Sequence, residues 1–120
     1  MNESDFHRQK TLVFISQPMK GLSREGIERE RKLIEDDLPE LLKTNEIEVI
    51  QSLLDDKTVQ KMHPLYCLGM SLQLLSAADV AVFAEGWEEA RGCRIEHECA
   101  LQYGIKIIDL GNGQIENTRE

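Results

Sequence analysis

The segment "TLVFISQPMKGLS", residues 11–23, joins an apolar run to a polar loop. The run "TLVFIS" is rich in β-branched and aromatic residues and too short for a helix, which is typical of a strand buried on both faces. Pro18 and Gly21 then interrupt the pattern, and Ser23 is a predicted N-cap for a following helix. The segment therefore predicts a strand, a loop and a helix in succession, the unit from which parallel sheets are built.

The same alternation continues along the chain. Further strands are predicted at residues 47–52, 79–84 and 105–110, and further helices at residues 65–78 and 92–103. The first helix is expected to end or kink at Pro39, whose ring removes a backbone donor, and the polar segment "DDKTVQKMHP" is predicted to be a loop. This order predicts an α/β fold, a three-layer Rossmann-like or flavodoxin-like parallel sheet with helices on both faces.

Both ends of the chain are predicted to be tails. Residues 1–9 are polar and residues 111–120 contain little to bury, so a single domain is expected to span residues 10–110. The first residues have no apolar segment typical of a signal peptide, and no apolar run approaches the roughly 20 residues that span a bilayer. We therefore expect a cytoplasmic protein that does not contact a membrane.

Composition and spacing exclude several classes of function. The three cysteines have no CxxC spacing and the three histidines form no HxxxH pair, so neither a disulfide framework nor a metal site is indicated. No P-loop or GxGxxG motif occurs, and we expect no cofactor. The net charge of −8 disfavours binding to a nucleic acid polymer but allows a small anionic ligand. Cys93, near a predicted helix start, is interpreted as a reduced core thiol, with a redox thiol as the alternative.

Two loops are expected to form the ligand site. In parallel sheets ligands bind outside the carboxyl ends of the strands, at the point where the strand order reverses. The first candidate loop, residues 17–22, offers Lys20, backbone amides freed by Gly21 and the adjacent Ser16. This set suits a phosphate or a carboxylate; the alternative is an ordinary turn with an exposed lysine.

The second candidate loop, residues 85–91, leads into the helix "GCRIEHECALQYG". Gly92 allows a ligand to approach the helix start closely, and Arg91 adds positive charge beside it. Trp87 is the only tryptophan, and it either stacks on a flat ring of the ligand or anchors the loop by packing.

Glu96 is placed differently from the other charged residues of that helix. It shares its helix face with Gly92 and Ala100, so its own helix offers it no charged partner. A carboxylate beside a cleft can act as a general base or as a nucleophile at the anomeric carbon of a sugar; the alternative is a boundary glutamate that reaches solvent. A retaining reaction also needs an acid, for which the loops and strand ends offer Asp79, Glu85 and Glu88.

These segments carry a resemblance to a known family. The order "VFISQPMKG", then "ADVAVFAEGWEEARGCRIEHECALQYGIKII", resembles the nucleoside 2-deoxyribosyltransferase-like superfamily, and within it the domain of unknown function numbered 4406. The likeness covers about residues 11–110, and its most specific part is the spacing of Gly92, Glu96 and Ala100. The resemblance implies a Rossmann-like sheet, no metal, a nucleoside or nucleotide as ligand, and a homo-oligomer with sites near subunit contacts.

The resemblance also implies roles for individual residues. Glu96 corresponds to the nucleophile, and the first loop contacts the sugar or its 5′-phosphate, which carries over to Ser16, Pro18, Met19, Lys20 and Gly21. Two positions depart from the family: Ser71 stands where relatives carry a second catalytic aspartate, and Ala90 where they carry an aspartate or a phosphate-binding serine.

Two hypotheses follow from the sequence. The first is an N-glycosidase or deoxyribosyltransferase that acts on a nucleoside or nucleoside 5′-monophosphate through Glu96, and the isolation of Glu96 favours it. The second is a binding module that recognises a nucleotide-like ligand without chemistry, which Ser71 and Ala90 favour. A second carboxylate about 5 Å from Glu96 would indicate the enzyme, and its absence the binding module.

Overall fold

The computed structural model describes residues 9–111 and 114–116. The elements, in chain order, are β1 (Thr11–Ser16), α1 (Arg24–Leu42), β2 (Ile47–Val49), α2 (Asp56–Lys61), α3 (Pro64–Leu75), β3 (Val80–Phe83), α4 (Arg91–Gln102), β4 (Lys106–Asp109) and β5 (Gln114–Glu116). A single 3-10 turn, Trp87–Glu89, lies between β3 and α4. Ser23 caps α1 as predicted, since its side chain accepts a hydrogen bond from the Gly26 amide.

One five-stranded sheet organises the described residues, with the order β2-β1-β3-β4-β5. The first four strands in this order run parallel, and only β5 runs antiparallel to its neighbour. This arrangement confirms the predicted Rossmann-like α/β fold. The strand order reverses between β1 and β3, so the loops that follow these two strands meet at one edge of the sheet.

The two faces of the sheet carry separate apolar layers. Side chains alternate along a strand, so Val13 and Ile15 of β1 pack with Leu38 of α1, whereas Phe14 packs on the other face with Leu75 of α3 and Ala100 of α4. The structure therefore has three layers, with α1 on one face and α3 and α4 on the other. None of the described helices is both long and apolar enough to cross a membrane.

Helix α1 does not end at Pro39, which was one of the two outcomes predicted for that position. It continues to Leu42, and the Pro39 carbonyl accepts hydrogen bonds from the amides of Lys43 and Thr44. Leu41 and Leu42 pack against the apolar layer beneath α1. The free energy gained by this packing offsets the loss of the backbone hydrogen bond that the proline ring prevents.

Two short elements were not predicted. The Asp55 side chain accepts a hydrogen bond from the Thr58 amide at 2.7 Å and so caps α2, in the segment predicted to be a loop. Residues 114–116, predicted as part of a tail, form β5, because the outer edge of β4 offers unpaired backbone groups for it to pair with. The rest of the predicted tails, residues 1–8, 112–113 and 117–120, lies outside the described residues.

The packing of α1 can be tested with two leucines of the same helix. Leu38 is 1% exposed and Leu33 is 61% exposed. We expect Leu38→Ala to lower the free energy of unfolding by about 2–5 kcal/mol, because it removes buried methyl groups and leaves a cavity. Leu33→Ala should change it by about 0.5 kcal/mol or less. Urea denaturation measures both, and equal effects would contradict the orientation of α1.

Candidate active site

A hydrogen bond between β1 and α4 lies at the centre of the candidate site. Ser16 ends β1, Glu96 lies in the second turn of α4, and both side chains are buried. The Ser16 hydroxyl donates to Glu96 Oε1 at 2.6 Å, a distance typical of a charge-assisted hydrogen bond. Two predicted site residues that are far apart in the sequence are thus in contact at the carboxyl edge of the sheet.

The Glu96 carboxyl has a raised pKa. Its side chain is largely withdrawn from water, the residue being 8% exposed, and this burial disfavours the charged form. The hydrogen bond from Ser16 stabilises the carboxylate and lowers the pKa in part, but burial has the larger effect. Buried carboxyls with shifted pKa values are frequent at sites of chemistry, where desolvation makes the carboxylate more basic.

Cys93 lies next to this pair and is 4% exposed. Burial, with smaller contributions from the charges of Glu96 and Glu30, raises the pKa of the thiol to about 11, and a hydrogen bond with Ser16 opposes the rise. The thiolate is the reactive form of cysteine. A thiol that keeps its proton at neutral pH is not suited to redox chemistry, so the structure favours the interpretation of Cys93 as a core thiol.

The loop after β1 is a tight turn that borders the second loop. The Leu22 amide donates to the Met19 carbonyl at 3.1 Å, and Gly21 adopts a φ of +81° that favours glycine. Lys20 and Met19 are exposed on this turn. A β-carbon placed on Gly86 would lie 3.7 Å from the Pro18 ring, so the two loops are adjacent.

The N-terminus of α4 is left open. The side chains of Ser23, Asp55 and His63 cap the other three described α-helices, whereas Ala90 at the same position of α4 has no group that can do so. A β-carbon on Gly92 would meet nothing within 4 Å, and Arg91 is exposed in this first turn. Without a capping side chain, the first amides of α4 are suited to bind a ligand oxygen. Arg91 opposes the helix dipole unless an anion binds there.

Trp87 is held by contacts within the protein. Its indole N–H donates to Asp109 Oδ1 at 2.9 Å, and its ring stacks on His97 with 3.9 Å between centroids and 6° between planes. His97 in turn meets Phe83 edge-on at 4.7 Å. One face of the indole is therefore covered, which favours the packing anchor over the predicted role in stacking on a ligand.

None of the three acidic residues that the sequence offered, Asp79, Glu85 and Glu88, places a second carboxylate beside Glu96. Asp79 lies at the opposite edge of the sheet, where its Oδ2 accepts from the Leu12 amide at 2.8 Å. Glu85 and Glu88 are exposed. Burial and Ser16 account for the shift in the Glu96 pKa, with no contribution from another carboxylate of the described residues. Ser71, at the family's aspartate position, is half-buried on α3.

Sequence reasoning missed Gln17 and Arg31, which are buried at the end of β1. Gln17 Nε2 donates to the Ile27 carbonyl at 3.0 Å, and Arg31 Nη1 donates to Gln17 Oε1 at 3.3 Å. A signal was present in the sequence, because Arg31 falls in the same helical stripe as the buried Ile27, Ile34 and Leu38. A charged residue in an apolar stripe indicates a buried polar contact.

Two surface grooves lie away from Glu96. One, of about 250 Å³, is lined by residues of α1 and the segment after β2, including Arg24, Arg31 and Leu53. The other, of about 390 Å³, lies between α2 and α3 beside Met62 and Tyr66. Neither groove is lined by Glu96 or by the two loops. No group of three or more His, Cys, Asp or Glu side chains among the described residues is arranged to hold a metal ion.

The parallel sheet, the reversal of strand order and the buried glutamate on α4 define a Rossmann-like α/β protein with its candidate site at the switch point. A solved structure that is similar to it is the CMP N-glycosidase BcmB of Clostridium botulinum, with a TM-score of 0.51 and 25% sequence identity. The match covers 82% of this chain and 67% of that chain. The neighbour has the nucleoside 2-deoxyribosyltransferase-like fold, which supports this part of the resemblance.

The sequence comparisons do not assign this chain to a family. No protein-family model matches the chain, and no curated protein sequence matches it significantly. The narrower resemblance to the domain of unknown function numbered 4406 is therefore not confirmed.

The burial of Cys93 can be tested by alkylation. With a pKa of about 11, about one thiol in a thousand is ionised at pH 8, so we expect Cys93 to react far more slowly with iodoacetamide than the half-buried Cys67 and Cys99. Mass spectrometry of the labelled peptides gives the three rates. Labelling of Cys93 as fast as that of Cys67 would contradict the placement of its thiol.

The burial of Glu96 predicts a pH-dependent change in stability. Because the folded-state pKa lies above the ordinary value of 4.5, folding favours the protonated carboxyl, and wild-type stability falls as the pH rises through the folded pKa. Glu96→Gln has no such loss. We expect its advantage over the wild type to be largest at pH 7–8 and to shrink toward pH 4. Each tenfold difference between the folded and unfolded ionisation constants corresponds to about 1.4 kcal/mol of that advantage.

Urea denaturation across this pH range measures the difference. Glu98→Gln is the matched control, since Glu98 is exposed on the same helix and accepts from Gln102 at 2.7 Å. Its effect should vary little with pH. An advantage of Glu96→Gln that is the same at pH 4 and pH 8 would argue against the raised pKa.

Proposed function

We propose that this chain cleaves the N-glycosidic bond of a nucleoside or nucleoside 5′-monophosphate, as an N-glycosidase or deoxyribosyltransferase, with Glu96 as the nucleophile. The observation that carries the proposal is the buried Glu96 carboxyl, hydrogen-bonded to Ser16 at the switch point of the sheet. Similarity to a protein named as a CMP N-glycosidase supports the same class of reaction.

The proposed reaction is a double displacement at the anomeric carbon. A Glu96 carboxylate oxygen attacks C1′ while the bond from C1′ to the base nitrogen breaks, and the departing base takes up a proton from water. A water molecule or a second base then attacks C1′ and gives up a proton to the solvent, while the bond from C1′ to Glu96 breaks and releases the carboxylate. Because Ser16 donates to Oε1, it orients the carboxylate and leaves Oε2 free of that hydrogen bond for the attack.

The two loops would hold the rest of the substrate. The turn that contains Pro18 and Lys20 borders Gly86 in the loop that leads to α4. At the open N-terminus of α4, Gly92 leaves space and Arg91 supplies a cation. Amides and cations at a helix N-terminus are suited to a sugar hydroxyl or a 5′-phosphate. That the protein forms a homo-oligomer and that it is cytoplasmic remain predictions made from the sequence.

The second candidate function is a module that binds a nucleotide-like ligand without chemistry. It is favoured by the lack of an acidic partner for Glu96 among the described residues, since a double displacement needs a group that protonates the leaving base. Ser71 and Ala90, where the resembled family carries functional residues, favour the same alternative. Both functions use the same site, so one experiment can distinguish them.

The test is chromatographic. Purified protein is incubated with nucleosides and 5′-monophosphates, CMP among them, with and without a free acceptor base. We expect base release or exchange that Glu96→Gln lowers by about 10³-fold or more, because the nucleophile is lost, and that Glu98→Gln leaves unchanged. If no base is released, yet a nucleotide raises the melting temperature of the protein, the binding module is correct and the catalytic role of Glu96 is wrong.

A further inference from the structure

Ser16 and Gln17 are consecutive residues at the end of β1 that point to opposite faces of the sheet. Ser16 reaches Glu96 on the α4 face, while Gln17 is buried against α1. One short piece of backbone carries both side chains. Whatever fixes Gln17 on the α1 face therefore also fixes the place from which the Ser16 hydroxyl donates.

The contacts of Gln17 specify a single orientation of its amide. Nε2 donates to the Ile27 carbonyl at 3.0 Å and to Glu30 Oε1 at 2.9 Å, and Oε1 accepts from Arg31 Nη1 at 3.3 Å. A flipped amide would set oxygen against the Glu30 carboxylate and nitrogen against the Arg31 guanidinium, both unfavourable. The amide, and with it the backbone of Gln17, is held in one position.

Arg31 extends these contacts into a ring of hydrogen bonds that is closed by the backbone between Ile15 and Gln17. Its Nη2 donates to the Ile50 carbonyl at 3.0 Å and to Ser52 Oγ at 3.2 Å. The Ser52 hydroxyl in turn donates to the Ile15 carbonyl of β1 at 3.4 Å. We term these four residues the polar ring: Ile15, Gln17, Arg31 and Ser52. The polar ring joins the end of β1 to α1 and to the segment after β2.

The polar ring is costly to keep in the protein interior. Arg31 is 7% exposed, and burial lowers its pKa, while Glu35 at 3.6 Å opposes that effect. A buried ionic group is often no more stabilising than an apolar residue of similar volume. Stability alone therefore does not explain a guanidinium at this position.

We propose that Gln17 and Arg31 are positioning residues that hold the Ser16 hydroxyl where it donates its hydrogen bond to Glu96. This inference rests on the proposed function for its catalytic meaning, but the hydrogen bond itself can be followed without any substrate. Among the titratable groups near the site, Cys93 on the same helix interacts with Glu96, and Glu30 on α1 interacts with Cys93 and accepts a hydrogen bond from Gln17. Ser16 is the described residue whose hydrogen bond lowers the Glu96 pKa.

The test is a ¹³C-NMR titration of the Glu96 side-chain carboxyl in full-length protein. Ser16→Ala should raise the Glu96 pKa, because the carboxylate loses its donor. Arg31→Met should raise it as well, because the polar ring opens and Ser16 no longer stays in place. Lys32→Met, which removes an equal charge from the next and exposed position of α1, should leave the titration unchanged.

A double variant separates positioning from the loss of charge. In the Ser16→Ala background, Arg31→Met should produce no further rise if it acts through Ser16. A rise of the same size in both backgrounds would show that the Arg31 charge acts directly, and would overturn the proposal. An unchanged titration in Arg31→Met would do the same.

Two further variants keep the test decisive if Arg31→Met does not fold. Ser52→Ala removes one member of the polar ring without changing charge, and Arg31→Lys keeps the charge but loses the planar fork of donors. Both should raise the Glu96 pKa in the wild-type background, and a wild-type titration in both would refute the role of the ring.

Activity gives a separate readout. Where the wild type releases base, Arg31→Met should lower kcat by about 10- to 100-fold with a smaller change in KM, since misplaced catalytic groups slow the chemical step. If the wild type releases no base, the titration still decides whether the ring positions Ser16. The failure of the proposed function and the failure of this inference therefore give different results.

Discussion

The pairing of β1 on both sides is the constraint on which the rest of the structure depends. Its residues pair with β2 through Thr11 to Val13 and with β3 through Val13 to Ser16, so β1 lies where the strand order reverses. The connection after β1 leads to α1 on one face of the sheet, and the connection after β3 leads to α4 on the other face, which opens a crevice above the end of β1. Ser16 and Gln17 occupy this position, and they join the polar groups of both helical layers.

The polar groups at this position oppose folding rather than promote it. Glu96 is buried with a raised pKa and Arg31 with a lowered one, so each is less favourable as an ion here than in water. The apolar layers on either side of the sheet offset these costs, with Phe14, Phe83 and Leu38 almost fully buried. The apolar core thus supplies the stability that allows destabilising polar groups to be kept at its edge, as is common at functional sites.

The sequence predicted the fold and part of the site, each for a physical reason. Short apolar runs such as "VAVF" predict buried strands without knowledge of their neighbours, and Glu96 was singled out because its helix offers it no partner. The role of Trp87 could not be decided, because its stacking on His97 and its hydrogen bond to Asp109 are tertiary contacts. Strand β5 was missed because it depends on the free edge of β4 rather than on a pattern of its own.

The distribution of charge bears on which ligand the site can take. The chain has a net charge of −8, and the exposed Glu85, Glu88 and Glu89 lie in the loop that leads to α4. A phosphate would therefore be bound against the field of the protein, by the amides of the first turn of α4 and by Arg91 at short range. A nucleoside would meet no such repulsion, and in the proposed reaction its sugar would still lie against Glu96. The glycosidic reaction that we propose is centred on the hydrogen-bonded pair of Glu96 and Ser16, so the charge of the loop would affect the choice of substrate rather than the reaction centre.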